Sequence, residues 1–214
     1  MTAMRVLAGA LCLALLTSGP ARAQAPSGEL LERTMAVVGG AVITRSDVTI
    51  ADALQLFADS AVPAGPTLTR LIDRQLMLQE VARFAPAEPV AESVRARVER
   101  MRARAGGDAA VAAVLARGGR DAGELEAWVR DDLRLAAYLD QRFASAGAPV
   151  EADLAAWVAA HPADVGSLPP VEALRVARER IARERRADLI VDWLADVRRR
   201  VDVVTFTPPG GVRR

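Results

Sequence analysis

The chain has 214 residues, with 28 basic and 27 acidic side chains, a single histidine and a single cysteine. A net charge of +1 leaves no basic footprint for nucleic acid. One cysteine excludes a disulfide framework, and one histidine cannot supply the usual zinc or iron ligand set. Every basic residue is arginine, and lysine and asparagine are absent, which reads as a bias of the coding sequence rather than a functional signal.

Residues 1–23 join Arg5 to an apolar run from Val6 to Leu16, a Ser-Gly-Pro break and the triplet Ala21-Arg22-Ala23. That order predicts a secretory signal peptide cleaved between Ala23 and Gln24, and hence a periplasmic protein. The apolar run is shorter than the about 20 residues a membrane span needs. Cys12 falls inside it, so the mature chain is expected to hold its fold by packing alone. No later segment reaches membrane-span length, and the mature chain expected from residue 24 onward suffices for one sizeable core or two small ones.

The next stretch is ERTMAVVGGAVITRSDV. Met35–Val38 and Ala41–Ile43 are short runs rich in β-formers. The Gly39-Gly40 pair between them can take φ > 0 at both central positions of a type I′ turn, so a tight β-hairpin is predicted. Thr44 and Asp47 form a capping box, with Asp in place of the usual Glu, and a helix over roughly 45–59 should follow. An isolated hairpin is marginal in water. The run Val201–Phe206 near the other end is a β-branched candidate for its partner, which would join the two ends of the chain in one domain.

Between the ends the periodicity is helical. Thr67–Phe84 is apolar around most of its circumference, which predicts a central helix. Val90–Ala105 places Val94, Val98, Met101 and Ala105 at helical spacing. A short helix with Val111, Val114 and Leu115 lies between two Gly-Gly pairs. Glu124–Phe143 presents Leu125, Trp128, Val129, Ala136, Leu139 and Phe143 on one face. Glu151–Ala160 is a shorter helix, and Val171–Arg200 is one long helix or two. The arginines at 183–186 and 198–200 alternate with acids, which reads as a solvated face with i,i+4 pairs. The fold class is therefore mainly α: a multi-helix domain with a small N-terminal hairpin paired with a C-terminal strand. The tail 207–214, TPPGGVRR, reads as disordered by composition.

No catalytic constellation emerges. His161 stands at a helix end beside Pro162 and reads as a solvated cap. Asp131 and Asp132 are adjacent on a helix and face different directions, so they are no acid pair. No glycine spacing fits a phosphate loop. No metal or other cofactor is expected.

The pieces AVVGGAVITRSDV and LIDRQLMLQEVARF together resemble the N-terminal domain of the SurA family of periplasmic chaperones. APVEADLAAWVAAHPAD resembles the family's short helix before its parvulin-type prolyl isomerase domain, and IARERRADLIVDWLADVRRRVDVVTF its closing helix and strand. The resemblance implies one chaperone domain over 24–206, with an N-terminal part at 30–162 and the helix and strand at 171–206. Residues 162–170 replace the isomerase domain as a linker, so an isomerase activity is not expected. It further implies an ATP-independent holdase for unfolded polypeptides, chiefly outer-membrane β-barrel precursors. A groove between helices would hold the client, and flexible or aromatic side chains suit such a groove because they repack around varied segments. The candidates are Met77, Leu78, Met101, Trp128, Trp157, Trp193 and Leu194, each of which also fits an ordinary core position. Two other readings stay open: an adaptor subunit whose groove is buried in a homodimer or against an assembly partner, and a prolyl isomerase with an unfamiliar site.

Overall fold

The computed structural model describes residues 32–144 and 148–206; the expected signal peptide, its Ala23/Gln24 cleavage point and the tail 207–214 lie outside them. The protein is mainly helical with one small sheet. β1 (Thr34–Val38) and β2 (Ala41–Thr44) form the hairpin, followed by α1 (Arg45–Ala53), α2 (Thr67–Phe84), α3 (Ala91–Arg104), α4 (Asp108–Arg117) and α5 (Ala122–Arg142). Then come α6 (Glu151–Ala160), α7 (Pro162–Val165), α8 (Pro170–Arg198) and β3 (Val203–Thr205).

The hairpin turns as its residues require. Gly39 and Gly40 both take positive φ, +52° and +90°, the left-handed pair of a type I′ turn. The register runs Val38 against Ala41, Val37 against Val42 and Ala36 against Ile43. On its other side β1 pairs antiparallel with β3, Val37 opposite Val204, so the sheet order is β2-β1-β3. The two ends of the domain are thus joined at its central strand. Ala36, Val38 and Ile43 form the inner face and pack with α2.

The capping box closes as expected: the Asp47 N–H donates to Thr44 Oγ1 at 3.2 Å, and the Thr44 N–H to Asp47 Oδ2 at 2.8 Å. The helix that follows is shorter than periodicity suggests. It stops at Ala53, and Gln55 takes φ +49° in a series of turns. The cause is tertiary. Leu54, Leu56 and Phe57 are all buried, and a continuing helix would set 54 and 56 about 200° apart, on opposite faces. Conversely α5 starts two residues early, because Asp121 and Glu124 form a second capping box.

α2 is the hub. It packs with β1, β2, α1, α5 and α8, and Leu76 and Met77 are wholly enclosed. Burying such a side chain contributes about 2–3 kcal/mol. α2 also buries charge: Asp73, Arg74 and Glu80. α8 is continuous through its arginine-rich middle. Its C-terminal half sets Ile190, Trp193, Leu194 and Val197 into the main core. Its N-terminal half carries α6 through a separate cluster of Leu154, Ala177 and Ile181, with Trp157 and Val158 alongside. The middle arginines do not form the expected i,i+4 ladder. Arg185 bonds Asp153 of α6 at 2.8 Å, and Arg186 bonds Asp140 of α5 at 2.5 Å. Residues 162–170, expected as a plain linker, contain the single-turn helix α7.

Candidate functional site

A cleft of about 350 Å³ opens between β2, α1, α2 and α5, with Leu115 of α4 at one side. Ile43, Ile50, Leu71, Leu125 and Trp128 give it an apolar lining, and Asp47, Gln75, Arg120, Glu124 and Asp131 edge it with polar groups. Local sequence rules position several of these. The hairpin turn sets Val42 and Ile43 on β2. The two capping boxes place Asp47 and Glu124 in the first turns of α1 and α5. The i, i+3 and i+7 spacing of Leu125, Trp128 and Asp132 puts them on one side of α5.

Arg74 is a buried charge in the cleft wall. Its Nε donates to Asp132 Oδ1 at 2.7 Å, and an Nη group donates to the Trp128 carbonyl at 3.0 Å. Its guanidinium lies 3.6 Å from the centroid of the Trp128 ring, a stacking that favours Arg over Lys. Both members of the ion pair are buried. Burial pushes the Asp132 carboxyl above the usual aspartate range, and the adjoining guanidinium opposes that shift. Arg120 clasps both capping boxes, meeting Glu124 and Asp47 at 2.8 Å each. The Glu124 hydrogen bond leads in holding its pKa above the ordinary value. The Asp131 side chain is 41% exposed, and its ion-pair partners among the described residues are Arg134 at 3.8 Å and Arg74 at 4.0 Å.

Of the residues expected to line a groove, Trp128 alone borders this cleft. Met77, Met101, Trp193 and Leu194 are 0%, 2%, 7% and 4% exposed and belong to the main core. Leu78 is half-buried against the same core. Trp157 sits apart in the α6–α8 cluster. Six of the seven thus belong to the main core or pack against it, and Trp157 packs in the α6–α8 cluster; Trp128 apart, the structure places them as packing residues rather than along the cleft. His161 is partly buried rather than solvated. Its ring stacks on Trp157 at 4.1 Å, with Nδ1 2.8 Å from the Trp157 carbonyl oxygen.

The cleft residues that sequence reasoning missed are spread from 42 to 131. No local signal singles them out, since Arg74 is one of several polar residues on α2, beside Arg70, Asp73 and Gln75. No protein-family model matches the chain, and no curated protein matches it.

Proposed function

We propose that the protein is an ATP-independent holdase that takes up unfolded polypeptide in the cleft between β2 and α5. Its setting is the periplasm, its clients are precursors of outer-membrane β-barrels, and it has no catalytic role of its own. The observation that carries this reading is the cleft: open, largely apolar, about 350 Å³ in volume, and edged by a few charges. Concave apolar sites of this size with a few polar groups are the usual seats of ligands, and this one has room for a few side chains. The SurA resemblance adds support, because the two stretches that carry it, AVVGGAVITRSDV and LIDRQLMLQEVARF, build β2, the start of α1 and α2. The export signal read at residues 1–23 would put the protein where ATP is absent, so release has to follow from moderate affinity.

The test is to dilute a denatured outer-membrane β-barrel precursor into ATP-free buffer with and without the protein, following light scatter. Suppression of aggregation near a one-to-one ratio is the expected result, and unchanged scatter at tenfold excess defeats the proposal. A different observation favours the adaptor reading. Val171 is 82% exposed in the first turn of α8, with Leu174 one turn along the helix. An adaptor docked there would form a stable complex and leave aggregation untouched.

A further inference from the structure

One wall of the cleft is the outer edge of the sheet. β2 is an outer strand of the sheet. The Gly39 N–H donates to the Asp202 carbonyl at 3.0 Å, and the Phe206 N–H to the Met35 carbonyl at 2.9 Å. Residues 35, 37 and 39 therefore direct their main-chain groups to the β3 side, and Ala36 and Val38 direct theirs to β2. Ile43 and Ala41, the partners of Ala36 and Val38, face back to β1. The N–H and C=O of Val42 consequently point outward, away from the sheet. Val42 is 55% exposed and stands in the cleft wall. At one end of this edge the Thr44 N–H is taken by Asp47 Oδ2, and at the other the Gly39-Gly40 turn begins. The open edge is one residue long, with one donor and one acceptor.

We propose that the cleft receives its occupant as an added β-strand: an extended polypeptide that bonds the main chain of Val42, turns alternate apolar side chains into the cleft and sets a basic side chain against Asp131. This rests on the cleft being the polypeptide site. Three observations select that occupant. Main-chain pairing at an exposed edge, with pockets for alternate side chains, is the mode by which sheets recognise extended segments of varied sequence. The charge at the rim is complementary to a cation: the carboxylates Asp47, Glu124 and Asp131 outnumber Arg74 and Arg120, both arginines have close carboxylates, and Asp131 meets Arg134 and Arg74 only at 3.8 and 4.0 Å. A second copy is disfavoured by area. The exposed apolar residues at the sheet, Val42, Val204 and Phe206, offer roughly 250 Å² per copy against the roughly 450 Å² of apolar area in one face of a standard ~800 Å² interface.

The experiment measures binding of a labelled, acetylated and amidated nine-residue peptide that alternates Thr with Val and Tyr and carries one Arg, by fluorescence anisotropy. Two further peptides carry N-methyl groups on the odd or on the even residues. Strand addition predicts that one methylated series loses on the order of tenfold in affinity while the other binds like the parent, since only one edge of the peptide bonds Val42. The Val42→Pro variant should weaken the parent peptide several-fold and keep the wild-type melting temperature, because proline is tolerated where a strand's N–H faces outward. Asp131→Asn should weaken the Arg peptide more than its Gln counterpart. Equal retention or equal loss in the two methylated series overturns strand addition and leaves the cleft reading standing. Absence of binding by the parent peptide overturns both.

Discussion

Replacing Met77 by alanine separates a core methionine from a binding-surface methionine. Met77 has no exposed area, lies mid-way along α2 and shares its apolar cluster with the enclosed Leu76, Val81 and Leu139. Alanine is at least as good a helix former, so the effect is confined to packing. Truncating a fully buried methionine costs about 2–5 kcal/mol, part lost transfer energy and part cavity. Complete enclosure puts Met77 in the middle of that range, at ~3–4 kcal/mol. With a urea slope of about 2–3 kcal/mol/M the midpoint falls by roughly 1–2 M, and the melting temperature by about 6–16 °C. Met77→Leu keeps the volume and costs under ~1.5 kcal/mol. Urea unfolding followed by far-ultraviolet circular dichroism reads all three proteins. A midpoint shift below about 0.3 M together with lost polypeptide binding would refute the core assignment.

Further outcomes follow from the buried and surface charges. Arg74→Met leaves Asp132 buried without its cation and should cost about 3–5 kcal/mol, while adding Asp132→Leu recovers much of it; a double-mutant cycle in urea measures both. The Asp59 carboxyl is held below its ordinary value, chiefly by the Arg104 hydrogen bond, with Arg97 and Arg100 adding and burial opposing. Its folded pKa is depressed, so its contribution is present above the ordinary pKa of 3.8 and is lost as pH falls through the folded value. The stability gap between wild type and Asp59→Asn should be full at neutral pH and close in acid, as chemical denaturation across pH would record. Gly39→Ala puts a Cβ at φ +52° and 2.4 Å from Gln79 Nε2, which donates to the Val38 carbonyl at 3.1 Å. Strain and the displaced hydrogen bond should together cost about 1–3 kcal/mol in thermal unfolding.

What could be read from sequence was what local rules decide. The Gly-Gly turn, the Thr44–Asp47 box and the limits of α2 and α6 follow from residues within a few positions of one another. The pairing of β3 with the hairpin followed from a simple need, since two strands alone do not hold. Features decided by distant partners were not legible. Arg183–Arg186 left α8 open as one helix or two, because the acids that hold Arg185 and Arg186 lie on α6 and α5. Periodicity marked Met77, Met101 and Trp193 as sharing apolar faces, yet it does not tell whether a neighbour covers a face. The neighbours do cover them, and the cleft lies instead where β2, α1, α2 and α5 meet. Asp73 was unreadable as a buried residue because its partner, Arg198, is the last residue of α8. The Arg198 Nε donates to Asp73 Oδ1 at 3.0 Å, and the carboxyl is pushed above its usual range by burial, with Arg198 opposing.

The most direct measurement uses Ala127, an exposed α5 residue that lines the cleft without belonging to the core. Ala127→Trp fills the cleft from its own wall. Affinity for a labelled unfolded outer-membrane precursor is titrated for wild type and variant, with melting temperatures taken on the same samples. The account predicts at least about a tenfold loss of affinity, the order of ~1.4 kcal/mol, with the melting temperature unchanged. Equal affinity in the two proteins would place polypeptide binding elsewhere and contradict the account.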